Sequence, residues 1–176
     1  DALPISLALQ ASTFRLNGER YRDAMGFTGQ WQHNYDSRNQ ASLYLQYASL
    51  TYPGQAIRNT DRFVVGGAYA HAFREGQVIY GGAYVGTEME KNELATFMGH
   101  DLVGVRIGGQ MDLAPRWVGF ANANLEQRRY HGSDPFFLSI RQDLQANINV
   151  GANFSPSREW HITPQFSYTR NDSNLT

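Results

Sequence analysis

Leu144-Gln145-Ala146-Asn147-Ile148-Asn149-Val150-Gly151-Ala152-Asn153-Phe154 decides how this chain folds. Leu144, Ala146, Ile148, Val150, Ala152 and Phe154 alternate strictly with Gln145, Asn147, Asn149, Gly151 and Asn153. A period of two puts one set on each face of a strand; an α-helix, with its period of 3.6, would scatter the apolar set around a cylinder. The polar face carries amides rather than Lys or Glu. We read a strand with lipid on one side and a wet lumen on the other, the alternation of a transmembrane β-barrel.

Composition points the same way. Charged residues make up 18% of the chain, below the roughly 25% of soluble domains. Lys91 is the single lysine, all other permanently basic residues being Arg. Soluble β-proteins cover faces and edges with Lys and Glu, and this chain does not. Net charge is near zero, so no polyanion partner and no nucleic acid is implied. There is no cysteine, which excludes a disulfide framework and thiolate metal sites. No apolar run approaches the roughly 18 residues of a membrane helix, a result that excludes helical spans but not barrel strands.

Nine alternating segments are legible. In the first three, Ile5, Leu7, Leu9 and Ala11, then Met25, Phe27, Gly29 and Trp31, then Leu43, Leu45 and Tyr47 share one face. The fourth and fifth, residues 63–73 and 78–87, leave their sides open: Val64, Gly66, Ala68 and Ala70 oppose Val65, Gly67, Tyr69 and His71. Small residues on the inner face would suit a crowded or plugged lumen. In the sixth, Val103, Val105, Ile107, Met111 and Leu113 face out and Arg106, Gln110 and Asp112 in. In the seventh, Trp117, Gly119, Ala121, Ala123 and Leu125 face out and Asn122, Asn124, Glu126 and Arg128 in. The opening stretch and the residues after Ile162 supply the last two.

Connections are expected to alternate long and short. Residues 17–20, 53–61, 86–101 and the stretch around Asp134 are the long ones. Asp36-Ser37-Arg38-Asn39, Arg74-Glu75-Gly76, Ala114-Pro115-Arg116 and Ser155-Pro156-Ser157-Arg158-Glu159 are the short ones. Outer-membrane barrels keep that parity, and segments of about 9–11 residues match a tilted membrane strand. Tyr35, Phe73, Trp117 and Trp160 flank short turns, and Phe14, Tyr52, Phe63 and Tyr130 flank long loops, as two interfacial belts would require. Charge placement agrees: Arg106, Glu126 and Asp143 avoid the apolar faces, where a mid-bilayer cation costs about 2–4 kcal/mol. Pro164 removes a ladder hydrogen bond and predicts a bulge or an edge. Single-chain bacterial barrels have an even strand number. We therefore expect residues 1–176 to be one barrel domain, a fragment of a larger barrel without its final strand.

Chemistry-bearing patterns are sparse. His33, His71, His100, His131 and His161 are scattered without metal-ligand spacing. His131, Ser133 and Asp134 are triad residue types, but neighbours in one loop rarely take triad geometry. No glycine-rich loop leads into a helix. We expect no catalytic site, metal or cofactor. The inward ionic residues are the candidate site: Arg106, Glu126, Arg128, Arg129, Tyr130, Asp134, Arg141 and Asp143 around one outer loop, with Arg170, Asn171, Asp172 and Asn174 just past the next strand's end. Such a cluster either grips a passing polypeptide and orders loops, or forms a salt-bridge network that stiffens the wall.

The same residues carry a likeness. Arg128-Arg129-Tyr130-His131-Gly132-Ser133-Asp134-Pro135, Arg141-Gln142-Asp143, Trp160-His161-Ile162-Thr163-Pro164 and Tyr168-Thr169-Arg170-Asn171-Asp172-Ser173-Asn174 resemble the barrel domain of the surface lipoprotein assembly modifier (Slam) family. The likeness is dense over residues 117–176 and diffuse before. It implies a Gram-negative outer-membrane protein. In that family a periplasmic helical-repeat domain precedes a barrel larger than the nine strands read here. Members move lipoproteins or secreted proteins to the cell surface.

The expected function is thus the barrel of a translocon, with membrane lipids and a client lipoprotein or secreted protein as partners. The alternative is a passive porin-like or host-interaction barrel, which would conduct ions steadily. An outer-membrane enzyme would need a nucleophile such as Ser133, and a soluble ligand-binding barrel would purify without detergent.

Overall fold

In the computed structural model, which describes residues 5–157 and 159–175, every alternating segment forms a strand. Arg158 of the expected last turn, and residues 1–4 and 176 of the expected domain, lie outside the described residues. The strands are β1 (Ile5–Leu16), β2 (Glu19–Asn34), β3 (Asn39–Thr51), β4 (Thr60–Arg74), β5 (Gln77–Glu90), β6 (His100–Ala114), β7 (Trp117–Ser133), β8 (Ile140–Phe154) and β9 (Gln165–Ser173). Each pairs antiparallel with its sequence neighbour, giving one up-and-down sheet in the order β1 to β9. The chain is all-β, and no α-helix forms among the described residues. No described pairing joins β1 to β9. The sheet is an open arc of a barrel, as the odd strand count predicts.

We call upper the end carrying the loops 52–59, 91–99 and 134–139, and lower the end carrying the turns 35–38, 75–76 and 115–116. Cross-strand partners followed from Ala146 lead through Leu125, Val105, Ala83, Gly67, Leu43 and Trp31 to Ile5. That path begins in the upper half of β8 and crosses β2 close to its lower end. This stagger is the strand tilt that barrel closure demands.

One layer of sheet has no second layer to hide behind. Accessible surface is 12175 Å², against about 8,600 Å² for a compact monomer of this mass. The excess is apolar. Leu144, Ile148 and Val150 are exposed, Ile148 at 46%, while Asn147 and Asn149 are half-shielded on the other face. Among the described residues only Val64, Ala95 and Leu102 are buried hydrophobics.

The open question of β4 and β5 is settled by shape. Val64, Gly66, Ala68 and Ala70 share the shielded face with Tyr80, Gly82 and Tyr84; Phe63, Val65, Tyr69, Ile79 and Val85 are exposed. Tyrosines lie over glycines on neighbouring strands, so that a Cβ at Gly66 would strike Tyr44, at Gly104 Tyr84 and at Gly108 Tyr80. The inner wall is crowded because these rings need flat ground.

Four expectations about length fail. Strands run well past the segments read from sequence, up to 17 residues in β7. The connection after β1 is not long but a two-residue turn, Asn17 at φ 52° and Gly18 at φ 85°. That is the left-handed pair of a type I′ hairpin, whose twist matches the strands and lets Leu16 pair with Glu19. The stretch 86–101 is shortened to a loop at 91–99, because Thr87 pairs with Asp101 and Glu88 with His100 and β5 runs on to Glu90. At the lower end the link after β8 is longer than expected. Phe154 and Ile162 form an isolated bridge, Pro164 interrupts the ladder for want of an N–H, and β9 starts at Gln165 as the edge strand. Aromatics gather at both ends: Trp117 stacks on Phe154 with centroids 4.5 Å apart below, and Phe14, Tyr21 and Tyr52 meet edge-to-face above.

The lower turn 35–38 is tied by one carboxylate. Asp36 Oδ1 accepts from the backbone N–H of Arg38 (2.7 Å) and of Asn39 (2.8 Å), and Oδ2 from the Asn39 side-chain amide (2.7 Å). The Asn39 amide, then the Arg38 N–H, hold the Asp36 carboxyl below its ordinary value.

Candidate functional site

Register assembles an ionic belt on the shielded face, across the upper parts of β4 to β8. Arg128 stands opposite Asp143, His100 opposite Tyr130, Glu88 opposite His100 and Arg62 opposite Glu88. Glu126 and Asp143 are almost fully buried, at 5% and 2% exposure. Carboxylates there stay charged only if paired.

Each is. Arg128 donates through Nε and Nη2 to Glu126 Oε1, both at 2.6 Å. Arg62 reaches from β4 to within 3.9 Å of both Glu88 and Glu126. The Tyr84 hydroxyl lies 2.8 Å from Glu126 Oε2 and 3.0 Å from Asn124 Oδ1. It has one proton, and the charged acceptor makes the stronger bond. Thr60 donates to Glu88 at 2.8 Å. Arg141 binds Asp143 in bidentate fashion, and its guanidinium lies 5.0 Å from the centre of the Tyr130 ring. Three guanidinium groups, of Arg62, Arg128 and Arg141, thus balance three carboxylates, of Glu88, Glu126 and Asp143. The close pairs lie within β7 and within β8, while Arg62, Thr60 and Tyr84 carry the contacts from strand to strand among β4, β5 and β7.

The sequence-selected residues divide. Glu126, Arg128, Tyr130, Arg141 and Asp143 come together in this belt. Arg106 shares the face but lies lower, stacked 4.8 Å from the Tyr44 ring with its Nε buried and unpaired. Arg129 is in β7 on the opposite, exposed face, paired in register with Asp101 and Gln142. Arg170 and Asp172 do not lie past the strand end. They are within β9, in register with Ala146 and Leu144, and therefore on the apolar face, where they bond each other at 3.0 Å. Asn171 stands opposite Gln145 on the shielded face. Asn174 latches β8, accepting from the Gln142 N–H at 2.7 Å and donating to the Ile140 carbonyl at 3.0 Å.

Asp134 is spent on its own loop. Its Oδ1 accepts from the N–H groups of Phe136 (2.9 Å) and Phe137 (3.1 Å). His131 faces Asp101 at 3.1 Å and Glu90 at 3.6 Å, so His131, Ser133 and Asp134 do not form a triad. Among the described residues no three of His, Asp and Glu converge as metal ligands.

Sequence reading missed Arg62, Glu88, His100 and Tyr84. Parity was the available signal: Arg62 precedes Val64 and Gly66 in the same alternation, and Glu88 follows Tyr84 and Gly86, on the face whose side stayed open.

A family model described as surface lipoprotein assembly modifier matches residues 6–176. No curated protein and no solved structure matches the chain.

Proposed function

This chain belongs to the surface lipoprotein assembly modifier family, and from that membership we propose that it forms the wall of an outer-membrane barrel that exports or displays client lipoproteins at the cell surface. The observation that carries the reading is the two-sided single sheet. Its exposed face is a continuous apolar surface around Leu125, Val105, Leu144, Ile148 and Val150, suited to hydrocarbon. Its shielded face offers Asn122, Asn124, Gln145, Asn147 and Asn149, suited to water and to weak, replaceable hydrogen bonds with a sliding chain.

The belt of Arg62, Glu88, Glu126, Arg128, Arg141 and Asp143 keeps that wall in shape. Its balanced charge leaves the passage without a strong preference for one sign of client. Turnover chemistry has no part in this reading.

The test is delivery. The intact protein reconstituted in vesicles with a candidate lipoprotein client is expected to place that client on the far face, measured by protease accessibility. Delivery no greater than in protein-free vesicles would end the proposal.

A further inference from the structure

On the shielded face of β6, Arg106 stands between Gly104 and Gly108. Tyr84 lies over the first glycine and Tyr80 over the second, and the Arg106 guanidinium stacks on Tyr44 with 4.8 Å to the ring centre. The guanidinium groups of Arg62, Arg128 and Arg141 each face a carboxylate. That of Arg106 does not: among the described residues it makes neither ion pair nor hydrogen bond. Its Nε is buried and unbonded, while the two Nη groups are open. Tyr84 spends its hydroxyl on Glu126. The Tyr44 hydroxyl, beside the cation, has no such partner among the described residues and is also open.

The wall around Arg106 does not balance its charge. Followed through cross-strand partners, the row runs to Gly82, Ala68 and Ser42 one way and to Asn124, Asn147 and Thr169 the other. None is acidic. Glu126, opposite Gly104 on the row above, is held by Arg128 and Tyr84. A ring against one face of the guanidinium replaces water there, so the open edge attracts an anion more strongly than it would in bulk water. Two N–H groups side by side match two oxygens in one plane. One cation balances a singly charged carboxylate; a phosphate dianion would need a second, and this row has none.

We propose that Arg106, stacked on Tyr44, is a carboxylate-binding site on the inner wall, where Asp and Glu side chains of a polypeptide pause on their way past. The inference rests on the export reading for the source of the carboxylate. It adds that acidic side chains are recognised, one at a time, at a named place below the balanced belt. An ion pair open to water is weak, so each carboxylate leaves as readily as it arrives, as a sliding chain requires.

The intact protein, with isotope-labelled arginine, is placed in lipid nanodiscs and its arginine Nε–H signals are followed by NMR. The Arg106 signal is identified by its loss in Arg106→Gln, or in Arg106→Lys should the first not fold. Sodium acetate is expected to move that signal saturably, with half-saturation in the millimolar range, and to leave the paired Arg128 and Arg141 in place. Tyr44→Leu should raise the acetate needed several-fold. A short peptide of Gly, Ser and Glu should move the signal too, and its counterpart with Gln for Glu should not. No movement with acetate overturns the proposal. So does an equal response to sodium chloride, which would be screening alone, a tighter response to inorganic phosphate, or equal shifts by the two peptides. Client delivery is read separately in vesicles. Delivery by a protein whose Arg106 signal stays silent refutes the site and leaves export standing. If the protein delivers nothing, export falls and the titration still decides the site.

Discussion

Arg141 grips Asp143 from two positions away on the same face of β8, Nε to Oδ1 at 2.9 Å and Nη2 to Oδ2 at 2.7 Å. Asp143 is buried and Arg141 only half so, which makes the pair asymmetric. Arg141→Met would leave a buried carboxylate uncompensated, a loss of about 3 kcal/mol. Adding Asp143→Asn removes that charge and should recover most of it, a coupling of about 1–3 kcal/mol. Urea unfolding of the single and double variants in vesicles measures both. Additive losses would show that the two residues act separately.

Tyr84 lies over Gly104 and donates to Glu126. Gly104→Val forces the ring away, so it costs about 1–3 kcal/mol as overpacking and also frees Glu126 of a donor. Tyr84→Ala in the same background relieves the clash and should restore part of the loss. Gly29, where an added Cβ meets nothing within 4 Å, is the control: Gly29→Ala should stay within about 0.5 kcal/mol. Equal losses at Gly104 and Gly29 would deny the ring-over-glycine packing.

Asp36 gives the lower turn a pH dependence. Its carboxyl is held below the ordinary 3.8 by the Asn39 amide and the Arg38 N–H. The stabilisation is therefore complete above that value and fades as pH falls through it toward the lower folded value. Asp36→Asn keeps the shape and loses the charge. The gap in unfolding midpoint between wild type and variant should be open at neutral pH and close in acid. A gap that persists unchanged in strong acid would assign it to shape instead.

Legibility tracked how strictly each strand alternates. In β8 every apolar residue from Leu144 to Phe154 fell on one face, and the structure places them so. In β4 and β5 both faces were mixtures of small and apolar residues, and only cross-strand fit of Tyr44 on Gly66 and Tyr84 on Gly104 separates them. No single strand's period contains that information. Charge at Arg170 and Asp172 marks a strand end in the sequence, yet the two continue the parity of Phe166 and Tyr168 onto the apolar face. Loop length misled at Asn17-Gly18, where turn chemistry outweighed spacing. The belt was half visible: β7 and β8 showed Glu126, Arg128, Arg141 and Asp143, and the unresolved side of β4 and β5 hid Arg62 and Glu88.

Ile148 and Asn147 are chain neighbours pointing to opposite faces, and they test sidedness directly. Ile148→Arg places a cation on the exposed face between Leu144 and Val150, which as a mid-bilayer site costs about 2–4 kcal/mol. Asn147→Arg places the same cation among Asn124, Gln145 and Thr169. Asn147 Oδ1 accepts from the Thr169 hydroxyl at 2.9 Å and the Gln145 amide at 3.1 Å, so this change loses about 1 kcal/mol for each bond and nothing for lipid. Both variants should lose less than they would by burial of an unpaired charge, but Ile148→Arg should lose more in vesicles, and the gap should shrink in a detergent that lets the arginine reach water. Urea midpoints in the two media give the answer. If Asn147→Arg proves the costlier in vesicles, hydrocarbon is not on the side of Ile148, and the proposed barrel wall is inside out.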